Sequence, residues 1–147
     1  LNKNKNKHLL IKKFSIMKKN EFKIDDVVIK GGEKEARMVP LAVSDELNFT
    51  LSKEMFVPRK ETINGTTQEW TDVQTDGDVA VSASQLTRRN NGLALTGKTI
   101  KERLASFVDL FSEEGTLKLK VTKVVERSFD QPDGSKSTSR YLKFEVA

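Results

Sequence analysis

Thr116 to Val146, TLKLKVTKVVERSFDQPDGSKSTSRYLKFEV, carries the strongest structural signal in the chain. Leu117, Leu119 and Val121 alternate with Lys118, Lys120 and Thr122, and Leu142, Phe144 and Val146 alternate with Tyr141, Lys143 and Glu145. A period of two sends successive side chains to opposite faces of a strand, so each run offers one apolar face to a core and one polar face to water. Between them, DQPDGSKS gathers the residues that turns use. The stretch predicts a large C-terminal β-hairpin.

Immediately upstream the period changes. Thr99-Ile100-Lys101-Glu102 has the form of a capping box, in which the Thr hydroxyl and the Glu carboxylate satisfy orphan N–H groups at a helix start. Ile100, Leu104, Phe107, Val108 and Phe111 follow at helical spacing, and Gly115 supplies a stop, so one amphipathic helix is predicted over about 99–112. Further back, Phe22–Lys30, Ala36–Val43 (kinked or at an edge because of Pro40) and Asn48–Phe56 read as strands, the last ended by Pro58. Asn64-Gly65 between β-formers is a strong hairpin signal, because both turn positions need positive φ. It predicts a protruding hairpin inserted over about 58–82, with Val79 to Ser82 as a further short strand.

Several antiparallel strands, one helix and then a hairpin place the chain in the β-rich α+β class, an antiparallel sheet or barrel. This element order, over residues 22–147, resembles that of OB-fold proteins, and the resemblance implies an OB-like barrel with single-stranded nucleic acid as the ligand class. Residues 17–147 read as a single domain.

Composition narrows the function. The absence of cysteine removes thiol catalysis, disulfide scaffolds and cysteine-held metals, and a single histidine removes most imidazole chemistry. No metal or other cofactor is expected, and no apolar run is long enough for a membrane span, so the expected location is the cytoplasm. The net charge of +5 comes from residues 1–16, which hold five lysines and no acid and read as an untranslated or disordered basic leader ahead of Met17. From Met17 onward bases and acids balance at 21 each, and the bases are concentrated in the second half, with 12 against 8 acids over residues 84–147.

That distribution points to a basic surface on the final hairpin. Lys118, Lys120 and Lys143 with Tyr141 make a cationic stripe holding an aromatic ring, extended toward the tip by Arg127, Phe129 and Arg140 and from a neighbouring loop by Arg88 and Arg89. Cations that follow phosphates combined with rings that stack bases are the equipment of single-strand binding proteins. The expected function is a non-catalytic module for single-stranded nucleic acid. The balanced charge of residues 17–147 favours a rival, a structural or assembly subunit of a viral or mobile-element particle that uses protein contacts and self-association. A third reading, a nucleotide-binding enzyme, rests on Gly92 to Thr99, GLALTGKT, which fits the phosphate-loop pattern GxxxxGK[ST]. It ranks last, because TRRNN stands where a buried parallel strand should precede the loop. Asp72, Asp76 and Asp78 lack the spacing of a calcium loop and read as turn residues.

Overall fold

The computed structural model describes residues 17–28, 40–77 and 79–147. The sheets are built from β1 (Glu46–Thr50), β2 (Phe56–Ile63), β3 (Thr66–Gln74), β4 (Ala80–Ser82), β5 (Thr116–Asp130) and β6 (Lys136–Val146), with helices α1 (Ala83–Leu86) and α2 (Ile100–Val108) between β4 and β5. Two antiparallel three-stranded sheets result, ordered β1-β5-β6 and β2-β3-β4. The fold is therefore β-rich α+β. Among the described residues no ladder joins the two sheets, so strand pairing does not produce the closed barrel expected from the element order.

Leu47 and Phe49 of β1, Leu117, Leu119 and Val121 of β5, and Leu142 and Phe144 of β6 form one apolar layer, as their alternation requires. Leu104, Phe107 and Val108 of α2 pack on it, with Phe49 edge-on to Phe107 at 6.0 Å and Phe107 edge-on to Phe111 at 5.5 Å. Each such side chain contributes roughly 1.5–3 kcal/mol by leaving water. Phe56, Val73 and Val81 bring the second sheet to the same core. Val146, expected inside, stands opposite the buried Leu119 but at the very end of the edge strand β6, and is 47% exposed.

Local chemistry corrects several sequence expectations. Helix α2 is capped as expected, the Thr99 hydroxyl accepting the Glu102 N–H at 3.1 Å, but the Glu102 carboxylate reaches back to the N–H of Lys98. It ends at Val108, after which Leu110 and Phe111 N–H groups close tighter turns onto Phe107 and Val108. The strand expected over Phe22–Lys30 is replaced, in its described part, by a 3-10 turn at Ile24–Asp26. Its two carboxylates turn outward, Asp25 to Lys101 at 3.3 Å and Asp26 to Lys53 at 3.6 Å, while Phe22 packs on Phe56. In the strand expected over Ala36–Val43, residues 36–39 lie outside the described set, and residues 40–43 lead into a turn in which the Asp45 carboxylate accepts the Ala42 N–H. The leader, residues 1–16, also lies outside it.

Asn48–Phe56 is not one strand. β1 stops at Thr50, a 3-10 turn intervenes, and β2 runs on through Pro58. The two-residue turn Asn64-Gly65, with φ of 52° and 79°, explains why Pro58 is tolerated. It fixes Ile63, Glu61, Arg59 and Val57 as the residues that exchange hydrogen bonds with β3, so position 58 faces away from the ladder, where a missing donor costs nothing. The hairpin is an insertion only in its outer half, since its base supplies Phe56 and Val73 to the core. Trp70 is buried outside the main core cluster and donates its indole N–H to Asp72, which also receives Arg59.

Candidate nucleic-acid interface

The register of β5 against β6 decides what the outer face displays. Pairing runs regularly from Leu119 opposite Val146 to Val121 opposite Phe144, is interrupted by a bulge between Val121 and Lys123, and resumes with Lys123 opposite Lys143. One extra residue on one strand reverses its parity. Even-numbered Lys118 and Lys120 face outward before the bulge; odd-numbered Lys123, Val125, Arg127 and Phe129 face outward after it. β6 has no interruption, so Glu145, Lys143 and Tyr141 share that outer face throughout. The hydroxyl of Thr122, the extra residue, donates to the Lys143 carbonyl at 3.3 Å and ties the bulge to β6.

The expected site residues divide accordingly. Lys118 is ion-paired with Glu46 at 3.0 Å, and Lys120 stands between Glu46 on β1 and Glu145 on β6, so this end of the stripe is largely neutralised from within. Lys143 is different. Its cross-strand neighbour is Lys123, and neither lysine has a carboxylate within ion-pair distance among the described residues. Like charges directly opposite destabilise a sheet, and an anion laid across them would reverse the sign. One row further on, Tyr141 is half-buried opposite Val125, with the Arg88 guanidinium 4.5 Å above its ring. Arg127 and Phe129 extend the outer face along the arm, Phe129 being 51% exposed and about 13 Å beyond the tyrosine row at strand spacing.

Arg140 does not belong to this face. It shares the parity of Leu142 and Phe144, lies opposite Glu126, and spends its guanidinium on the Leu41 carbonyl at 2.6 Å, while its own carbonyl accepts from Gln85. Lys136 lies on the same side as Arg140, paired with Asp130 at 3.2 Å. Sequence reasoning missed Lys123, although the signal was present: the alternation LKLKV breaks at Thr122-Lys123.

Arg88 and Arg89 reach the site through a braced loop over residues 87–98. The buried Asn91 amide donates to the carbonyls of Gln85 and Leu86, its side-chain oxygen accepts the Leu93 N–H, and its backbone carbonyl accepts the Phe144 N–H at 2.7 Å, which fastens the loop along β6. Gly92 sits so close to β6 that a Cβ there would collide with the Phe144 carbonyl. Arg103 braces the other end, donating to the carbonyls of Thr87, Gly97 and Lys98. Three of the N–H groups a phosphate cradle would present are spent internally, Leu93 on Asn91, Thr96 on Ser106 and Lys98 on Glu102. The strands around the loop are antiparallel, whereas the phosphate-loop fold needs a parallel sheet.

Among the described residues no cluster of His, Cys, Asp or Glu could hold a metal, and no helix is long and apolar enough to cross a membrane. Asp72 and Asp76 serve the fold, the first buried beside Trp70 and Arg59 and the second accepting the Thr50 hydroxyl at 2.7 Å. No family model, curated protein or solved structure matches this chain.

Proposed function

We propose that the protein is a non-catalytic module that binds single-stranded nucleic acid across the outer face of β5 and β6. One observation carries the reading: the unneutralised cross-strand pair Lys123 and Lys143 lies one row from Tyr141 with its covering Arg88. Cations to hold phosphates and an Arg88–Tyr141 stack that can receive a base are thereby adjacent on one ladder. Arg127 and Phe129 repeat that combination farther along the arm. The element order supports an OB-like layout, partly open, for which such ligands are typical.

Fluorescence anisotropy with a labelled single-stranded oligonucleotide, titrated with the full chain at several salt concentrations, tests this. Phosphate contacts release counterions, so affinity falls with salt at a slope of about −0.7 per contact, and Lys143→Ala or Lys123→Ala is expected to reduce that slope by about one contact. Tyr141→Ala is expected to lose about 1–3 kcal/mol of stacking with the slope kept. Lys60→Ala on the other hairpin is the control and should change neither quantity. Equal behaviour of all four variants, or no binding at low salt, overturns the reading and favours the assembly subunit.

A further inference from the structure

Beside Tyr141 the loop over residues 87–98 encloses an open hollow of about 570 Å³, lined by Arg88, Arg89, Ala94, Leu95 and the backbones of Gly92 and Gly97. Arg88 is the wall that the hollow shares with the tyrosine ring. Both arginines are exposed, and among the described residues neither has a carboxylate within ion-pair distance. The floor is apolar, because Leu95 packs half-buried against the main core. The loop is also held in a costly shape. Asn90 and Ala94 have φ of 65° and 53°, a left-handed conformation that an alanine adopts at a penalty of about 1–2 kcal/mol. The Asn91 and Arg103 braces hold that shape from both ends. An apolar floor flanked by two unpaired guanidinium groups suits a ligand with a flat apolar body and an anionic edge.

We infer that this hollow takes one nucleotide unit of the bound strand, its base against Leu95 and Ala94 and its phosphate on Arg89, with Arg88 sandwiched between that unit and Tyr141. The inference rests on the proposed single-strand function and deepens it. It sets the path of the strand, from Lys123 and Lys143 over Tyr141 and off the edge of β6 into the loop. It also gives a different role to GLALTGKT: the segment shapes a wall for a nucleotide within a strand, and its N–H groups do not cradle a free triphosphate.

The test compares the full chain with Arg89→Ala, Arg89→Lys and Lys60→Ala, using a labelled oligodeoxythymidylate, the same oligonucleotide with one terminal abasic residue, and ATP as competitor. Arg89 makes no side-chain hydrogen bond or ion pair among the described residues, so its variants should melt with the parent, which circular dichroism checks. Arg89→Ala is expected to weaken binding about fivefold and to lower the salt slope by about 0.7, with Arg89→Lys restoring the slope. The terminal abasic residue should cost the parent severalfold at one end of the oligonucleotide only. Tight binding by the parent with Arg89→Ala behaving like Lys60→Ala overturns the hollow and leaves the hairpin face standing. Displacement of the oligonucleotide by micromolar ATP overturns it in favour of a free-nucleotide pocket. Absence of any oligonucleotide binding overturns both readings.

Discussion

The hairpins β2–β3 and β5–β6 are built from similar parts and differ in what their cross-strand pairs do. In β2–β3 the register is unbroken from Phe56 opposite Val73 to Ile63 opposite Thr66, Lys60 faces Glu69, and the Thr62 and Thr67 hydroxyls meet at 3.2 Å. In β5–β6 a bulge shifts one strand by a residue, and the first pair after it sets Lys123 against Lys143. The first hairpin pairs Arg59 with Asp72 and sets Lys60 opposite Glu69; the second sets two lysines opposite one another on one face. The contrast places a destabilising like-charge pair on the second hairpin, the feature that the proposed nucleic-acid binding would put to use.

Three experiments put the difference between the two hairpins to the test. The largest effect is expected at the shared core, where Leu119→Ala should cost about 2–5 kcal/mol in denaturant unfolding, while Phe129→Ala on the same strand should stay within about 0.5 kcal/mol. Equal losses would mean that the arm is packed rather than displayed. Next, Gly65→Ala should cost about 1–2 kcal/mol, because φ is +79° there and the space around the position is open, so the penalty is conformational alone. Oligonucleotide binding should not change, and a loss of binding would tie β2–β3 to the interface. The smallest effect on stability has the most informative sign. Lys123→Glu turns a like-charge pair into an opposite one and should raise stability by about 0.2–1 kcal/mol while weakening binding. A drop in stability with binding intact would show that the lysine pair is already satisfied.

Much of this architecture was legible because its signals are local. The α2 stripe, the Thr99 cap, the Asn64-Gly65 turn and the alternation of Leu117, Leu119, Leu142 and Phe144 each depend on residues within a few positions of one another. What was illegible depends on partners distant in sequence. Ile24–Asp26 interrupts the β-type residues Phe22, Val27 and Val28, and its two carboxylates are claimed by Lys101 and Lys53, which favours a turn. Arg140 looked free because the Leu41 carbonyl that takes its guanidinium is unpredictable from the hairpin alone. Lys123 is intermediate: the broken alternation was visible, but only the β6 register shows that the break turns this lysine outward beside Lys143.

The placement of β1 carries a consequence in time. β2, β3 and β4 find one another through short connections, so that sheet can form as soon as its own residues are available. β1 precedes them in the chain but pairs with β5, Thr50 opposite Thr116, and the Met17 N–H is satisfied by the Leu51 carbonyl beside Gly115, whose missing Cβ leaves room for the Met17 carbonyl. Contacts between such distant segments slow folding, since a long loop must close before they form. During synthesis the apolar side chains of β1, Leu47 and Phe49, therefore wait until β5 has been made. In this interval the growing chain is most exposed to misassociation, and β5 is the element whose arrival ends it.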